Sequence, residues 1–195
     1  MARILFSIPA FAASVALAAA AADAAPGTWI TDGNGDWSSD TNWAGSIVAD
    51  GADNLADFST IDITANRTVT LDGDRTIGSL AFGDTSGGAS WRLLNSTLTL
   101  QTTVGTPQIA VGTNSRISSN LAGNQGFTKT GGSVLTLDGN NAGLSGTVAI
   151  TGGRIELTST SAVGNVDFDI AGGSRLDIAQ AGLYDIAGTV SGNGT

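Results

Sequence analysis

Residues 126–157 read GFTKTGGSVLTLDGNNAGLSGTVAITGGRIEL. Within them the apolar pairs Leu135/Leu137, Val148/Ile150 and Ile155/Leu157 alternate with Thr, Ala and Glu, and Gly or Asn separates one pair from the next: Asp138-Gly139-Asn140-Asn141 and Gly152-Gly153. Period-two alternation sends one set of side chains to a covered face and the other to water, so each pair marks a short strand. The turns carry residues that accept positive φ at low cost. From Leu135 onward strand starts fall 7 to 13 residues apart, which predicts rungs of about 20 residues, the period of a stacked coil of strands.

Outward from this stretch the same alternation recurs at Val69/Leu71, Leu80/Phe82, Leu98/Leu100, Ile109/Val111, Val166/Phe168/Ile170 and Leu176/Ile178, and also at Ile61/Ile63 and Tyr184/Ile186. Short strands at such spacings suit a β-sandwich as well, and that remains the alternative. Near-repetition favours the coil. VTLDGD at 69–74 matches LTLDGN at 135–140, and GSRLDI at 173–178 has the shape of GGRIEL at 152–157. In a coil every rung meets the same surroundings above and below, so the same residue types are called for again. The expected fold is an all-β, single-stranded parallel β-helix (β-solenoid). At a spacing of about 4.8 Å, roughly eight windings would form a rod of about 40 Å. Leu137→Asp should melt its own and neighbouring windings, while an outward Thr136→Lys should be tolerated.

Residues 1–25 read as a secretory signal: Arg3 precedes an apolar run from Ile4 to Ala22, and Ala20, Ala22 and Ala24 suit cleavage after Ala22 or Ala24. Asp23 and Pro26 follow at once, with no basic stop-transfer flank. Residues 26–60 form a Trp- and Asp-rich head or N-terminal cap, and 61–195 the rungs. The chain holds 8 basic and 17 acidic residues, a net charge of −9, with the cations scattered singly. No basic stripe exists to follow a phosphate backbone, which excludes nucleic-acid binding. Without cysteine, stability must come from burial and hydrogen bonds.

The absence of His and Cys removes Ser-His-Asp and Cys-His nucleophiles, thiolate zinc sites and imidazole acid–base groups. Paired-carboxylate hydrolysis stays open, since two acids can come from any distance in sequence. In Asp32-Gly33-Asn34-Gly35-Asp36 oxygen ligands alternate as in an EF-hand loop, but Trp37 takes the place of its glycine and Trp43 that of its bidentate glutamate. What remains is weak calcium binding at Asp32, Asn34, Asp36 and Asp40, against a plain glycine turn. Trp29, Trp37 and Trp43 are the candidate glycan-binding residues, by stacking on sugar rings; their competing role is to plug the end of the coil, which a solenoid must cover. No cofactor is expected.

Gly126-Phe127-Thr128-Lys129-Thr130-Gly131-Gly132-Ser133-Val134-Leu135-Thr136-Leu137, followed by an Asn-rich turn and a strand pair ending in Gly152-Gly153-Arg154-Ile155-Glu156-Leu157, resembles the repeat unit of the autotransporter-associated β-strand repeat family. Trp29, Gly35-Asp36-Trp37, Asn42-Trp43, the stretch 53–58 and Gly78-Ser79-Leu80-Ala81-Phe82-Gly83 resemble the head that precedes such repeats. Residues 184–194 resemble the lead-in to another repeat, so the expectation is a chain truncated at its C-terminus, an N-terminal fragment of something longer or a truncated gene product. The resemblance implies a right-handed β-helical passenger at, or released from, a bacterial surface, associated with the outer membrane only through parts absent from this chain. It implies no catalytic residues. The expected function is structural, export-assisting or adhesive, with a cell-surface or extracellular glycan or protein as the partner class. The alternatives are a polysaccharide-acting β-helix enzyme and a glycan-binding module.

Overall fold

The computed structural model describes residues 24–159, 163–179 and 186–195. The expected signal segment lies outside them except for Ala24 and Ala25, and so does Tyr184. The first strands are β1 (Gly27–Thr28), β2 (Gly35–Asp36), β3 (Gly51–Phe58), β4 (Arg67–Thr70), β5 (Arg75–Phe82) and β6 (Trp91–Leu94). Then come β7 (Thr97–Leu100), β8 (Gln108–Val111), β9 (Ser115–Ile117), β10 (Asn120–Gly123), β11 (Phe127–Thr130) and β12 (Val134–Leu137). The last are β13 (Gly143–Ile150), β14 (Arg154–Leu157), β15 (Asn165–Ile170), β16 (Arg175–Ile178) and β17 (Val190–Gly192).

These strands form two sheets: seven strands, β2, β4, β6, β9, β12, β14 and β16, stack in chain order in one, and the other ten form the second. Among the described residues every strand pairing is parallel, and the antiparallel contacts are two isolated bridges, Ala25 with Asp50 and Trp29 with Trp43. That is a β-solenoid. A sandwich, built from antiparallel Greek-key strands, is thereby ruled out.

The register gives the winding lengths. Gly35 pairs with Val69 and Arg67 with Trp91, 34 and 24 residues on, while from Ser115 the partners Leu135, and then Val134 with Arg154 and Arg154 with Arg175, follow at 20 or 21. The described coil makes about 6 turns rather than the eight expected, because the early windings are longer. GGRIEL and GSRLDI stack residue on residue, Ile155 on Leu176 and Leu157 on Ile178. VTLDGD and LTLDGN share a sheet but sit two residues out of step, since the ladder runs Val69, Leu93, Ile117, Leu137, Leu157.

Strands that run unbroken in β5 and β13 are split in the windings between. β5 pairs with β7 at its start and β8 at its end, and β13 likewise with β10 and β11. Gly146, at φ +94°, lies between the two halves of β13. The inward residues, from Trp29 to Ile170, make one continuous apolar core. Residues 26–60 belong to that coil, since they supply β1, β2 and β3 to the two sheets. Ile61/Ile63 do not form the expected strand: they lie in the corner between β3 and β4, where Ile63 is buried and its N–H donates to Asp84 Oδ1 at 3.2 Å. Ile186 likewise belongs to no strand. Among the described residues no helix is long and apolar enough to cross a membrane.

Candidate functional site

The N-terminal end of the coil is closed by aromatic rings. Trp29, Trp37 and Trp43 are fully buried and packed around Phe58, with ring centroids 5.5 or 5.6 Å from it. Trp91, from β6, adds a fourth indole at 5.5 Å. Burial of an indole needs a partner for its N–H. Each has one: Trp29 donates to Thr31 O at 2.7 Å, Trp37 to Ala49 O at 2.8 Å and Trp43 to Trp37 O at 2.7 Å. A sugar stacks on an open ring face, and in the folded chain the faces of Trp29, Trp37 and Trp43 are covered by one another and by Phe58, the packing that their competing role as a plug for the end of the coil calls for.

The calcium candidates do not converge. Asp32 uses Oδ1 for Arg67 Nε at 2.7 Å and for the N–H of Thr64, and Oδ2 for the Thr64 hydroxyl at 2.8 Å. The Arg67 bond, then that of the Thr64 hydroxyl, holds the Asp32 carboxyl below its ordinary value. Asn34 Oδ1 accepts from the Thr68 N–H at 2.8 Å, while Asp36 and Asp40 are exposed. Among the described residues no three His, Cys, Asp or Glu side chains gather at metal-holding distance. Asp32 and Asn34 instead tie one winding to the next.

This tie is general, and it gives the acidity of the chain a structural use. Sixteen of the 17 acids are aspartate, whose short carboxylate reaches nearby backbone N–H groups. At the corners those groups leave the sheet and need other acceptors. Asp84 takes the N–H of Ile63 and of Ala89, Asp53 that of Thr103, Asp74 that of Thr97 and Asp167 that of Thr189. Asparagine does the same without charge: Asn66 accepts from Ser90, Asn114 from Val134, and the buried Asn141 from Leu121 at 2.6 Å. The N–H groups hold Asp84 and Asp167 below the usual carboxylate range, Ala89 contributing most for the former and Thr189 for the latter.

Lys129 is the residue whose placement the alternation of β11 should have revealed, since it is in phase with inward Phe127. It is the one lysine of the chain, and it is fully buried. Its ladder reads Leu80, Ile109, Lys129, Ile150, Ile170. Nζ reaches back to the corner and donates to Gly152 O at 2.7 Å, Gly131 O at 2.9 Å and Thr130 O at 3.3 Å. Burial pulls its pKa down from 10.5 to about 8.

Along the corner between the two sheets, the long loops after β3 and β5 stand beside shorter ones after β8 and β11. They border a groove whose adjoining parts measure about 590 and 460 Å³. Thr64, Asn66, Ser90, Thr113 and Asn114 line it with hydroxyls and amides. Asp62 lines it too, beside the Asp84 carboxyl that takes the N–H of Ala89.

The chain is similar to a protein described as adhesin BmaC autotransporter, from Brucella suis biovar 1 (strain 1330), with 34% identity over 125 residues, or 64% of this chain. The match covers 3% of that relative's length, so the chain spans a small part of it. This likeness and the solenoid together fit an autotransporter passenger. No protein-family model matches the chain, and no solved structure matches it.

Proposed function

We propose that the chain is a segment of an exported bacterial surface passenger, a self-stacking scaffold with a structural and adhesive role and no catalysis of its own. The observation that carries this reading is the likeness to an autotransporter adhesin over 64% of a chain that winds as a parallel solenoid. Such a coil extends by adding windings and needs no disulfide, which suits a surface carried away from the cell. The repeat-like stretch 126–157 adds an export-assisting part: its windings have settled into the 20-residue period and offer a regular template to those that follow. The place of action is the cell surface or the medium after signal cleavage, and the partner is a cell-surface or extracellular glycan or protein.

Protease shaving of intact bacteria that make the full-length parent tests the location. Peptides from 24–195 should appear in the shaved fraction, with a mature N-terminus at Asp23 or Ala25. Recovery solely from the cytoplasm, with Met1 and the apolar run retained, overturns the reading. Beads coated with the purified chain should bind extracellular matrix better than albumin-coated beads. Equal binding removes the adhesive role.

A further inference from the structure

Of the three carbonyls that hold the Lys129 ammonium, those of Thr130 and Gly131 belong to its own corner, and that of Gly152, the nearest, belongs to the corner of the next winding. The two corners nest without side chains between them. A Cβ at Gly152 would stand 3.1 Å from Gly131 O, and Gly153, at φ +62°, would press one into the backbone of Gly132. Carbonyl oxygens so converged repel one another unless a donor sits among them. Gly152 O, supplied by the winding that contains 143–157, completes the set of oxygens around Nζ.

We propose that Lys129 is a latch, through which the docking of 143–157 depends on a finished corner in the winding before it. The inference goes beyond the surface reading and is decided on purified protein, so a failed adhesion assay leaves it untouched. The simpler role is a lysine stem that fills the aliphatic ladder while its head finds whatever oxygen is near. The two differ in what Lys129→Met does. Methionine keeps the stem and drops the donor. On the simpler role the variant is neutral or stabilising. On the latch, three carbonyls lose their partner and the following winding loosens.

Hydrogen exchange of wild type and Lys129→Met at pH 7 separates them. The latch gives tenfold or more faster exchange in 143–157, at least the effect of one of the lost hydrogen bonds, with 67–100 unchanged. Equal or slower exchange in 143–157 overturns it. A pH series supplies a second readout. Strands β8, β11 and β13 and the corners 131–133 and 151–153 contain no other titratable residue, while Arg116 and Arg154 just beyond are paired with Asp138 and Asp177. With the amine lowered to about 8 in the folded chain and near 10.5 when unfolded, the folded state loses its proton first. Stability should therefore rise as pH climbs from about 8 to about 10.5, and Lys129→Met should lack that rise. If Lys129→Met does not fold, amine acylation of the wild type decides: Lys129 should label at the opening rate of 143–157. Labelling no faster than the opening of 67–100 overturns the proposal.

Discussion

Gly126 lies so close beneath Thr147 that a Cβ on it would penetrate the carbonyl oxygen of Thr147, and its φ of +64° already falls where side chains are strained. Both effects act at one position, so Gly126→Ala should cost about 3 kcal/mol or more in urea unfolding. Gly132 has open space around its would-be Cβ and no positive φ. Gly132→Ala should stay within about 0.5 kcal/mol of wild type.

Leu137 is fully buried in the ladder between Ile117 and Leu157. Leu137→Ala should cost about 2 to 5 kcal/mol, and Leu137→Asp more, by burying an unpaired carboxylate. Thr136 points outward as expected, yet it is 8% exposed, covered by Arg116 and Glu156 from the windings on either side, and its hydroxyl donates to Glu156 Oε2 at 3.2 Å. The expected tolerance of Thr136→Lys is therefore revised: an ammonium beside Arg116 in place of that hydrogen bond should cost about 1 kcal/mol by thermal or urea unfolding.

Trp43→Ala should cost about 3 to 5 kcal/mol, because it opens a cavity in the aromatic end of the coil, and exchange should quicken first in β1 and β2. In the folded wild type neither acrylamide nor polysaccharide should quench the buried tryptophans strongly. Strong quenching by a sugar polymer at neutral pH would return Trp29, Trp37 and Trp43 to the glycan role.

On the acid side the corner aspartates govern stability. Asp32, Asp84 and Asp167 have folded pKa values lowered from 3.8. Their contribution is present above that unfolded value and is lost as pH falls through the lower folded values, because protonation strips the charge from the acceptor. Circular dichroism should show the coil intact at pH 5 and weakening below about pH 4. Asp84→Asn keeps one acceptor oxygen where the wild type serves both Ile63 and Ala89, so its acid transition should be shallower and its stability at pH 7 lower.

The alternation in 126–157 was legible because burial with period two is a local property of a strand, and the fit of GGRIEL to GSRLDI was legible because stacked windings impose one environment twice. The composition determined as much about chemistry: without His or Cys, imidazole acid–base groups and thiolate nucleophiles are missing. Tertiary structure decided what depends on residues a winding or more apart. That includes the burial of Lys129 under Gly152, the use of Asp84 and Asn114 as acceptors for distant N–H groups, the covering of Trp29 by Phe58 and Trp91, and the out-of-step stacking of Val69 beneath Leu137. A lysine or an aspartate reads as a surface charge until its neighbours one winding away are known, because desolvation and the supply of hydrogen-bond partners are set by those neighbours and not by the residues beside it in the chain.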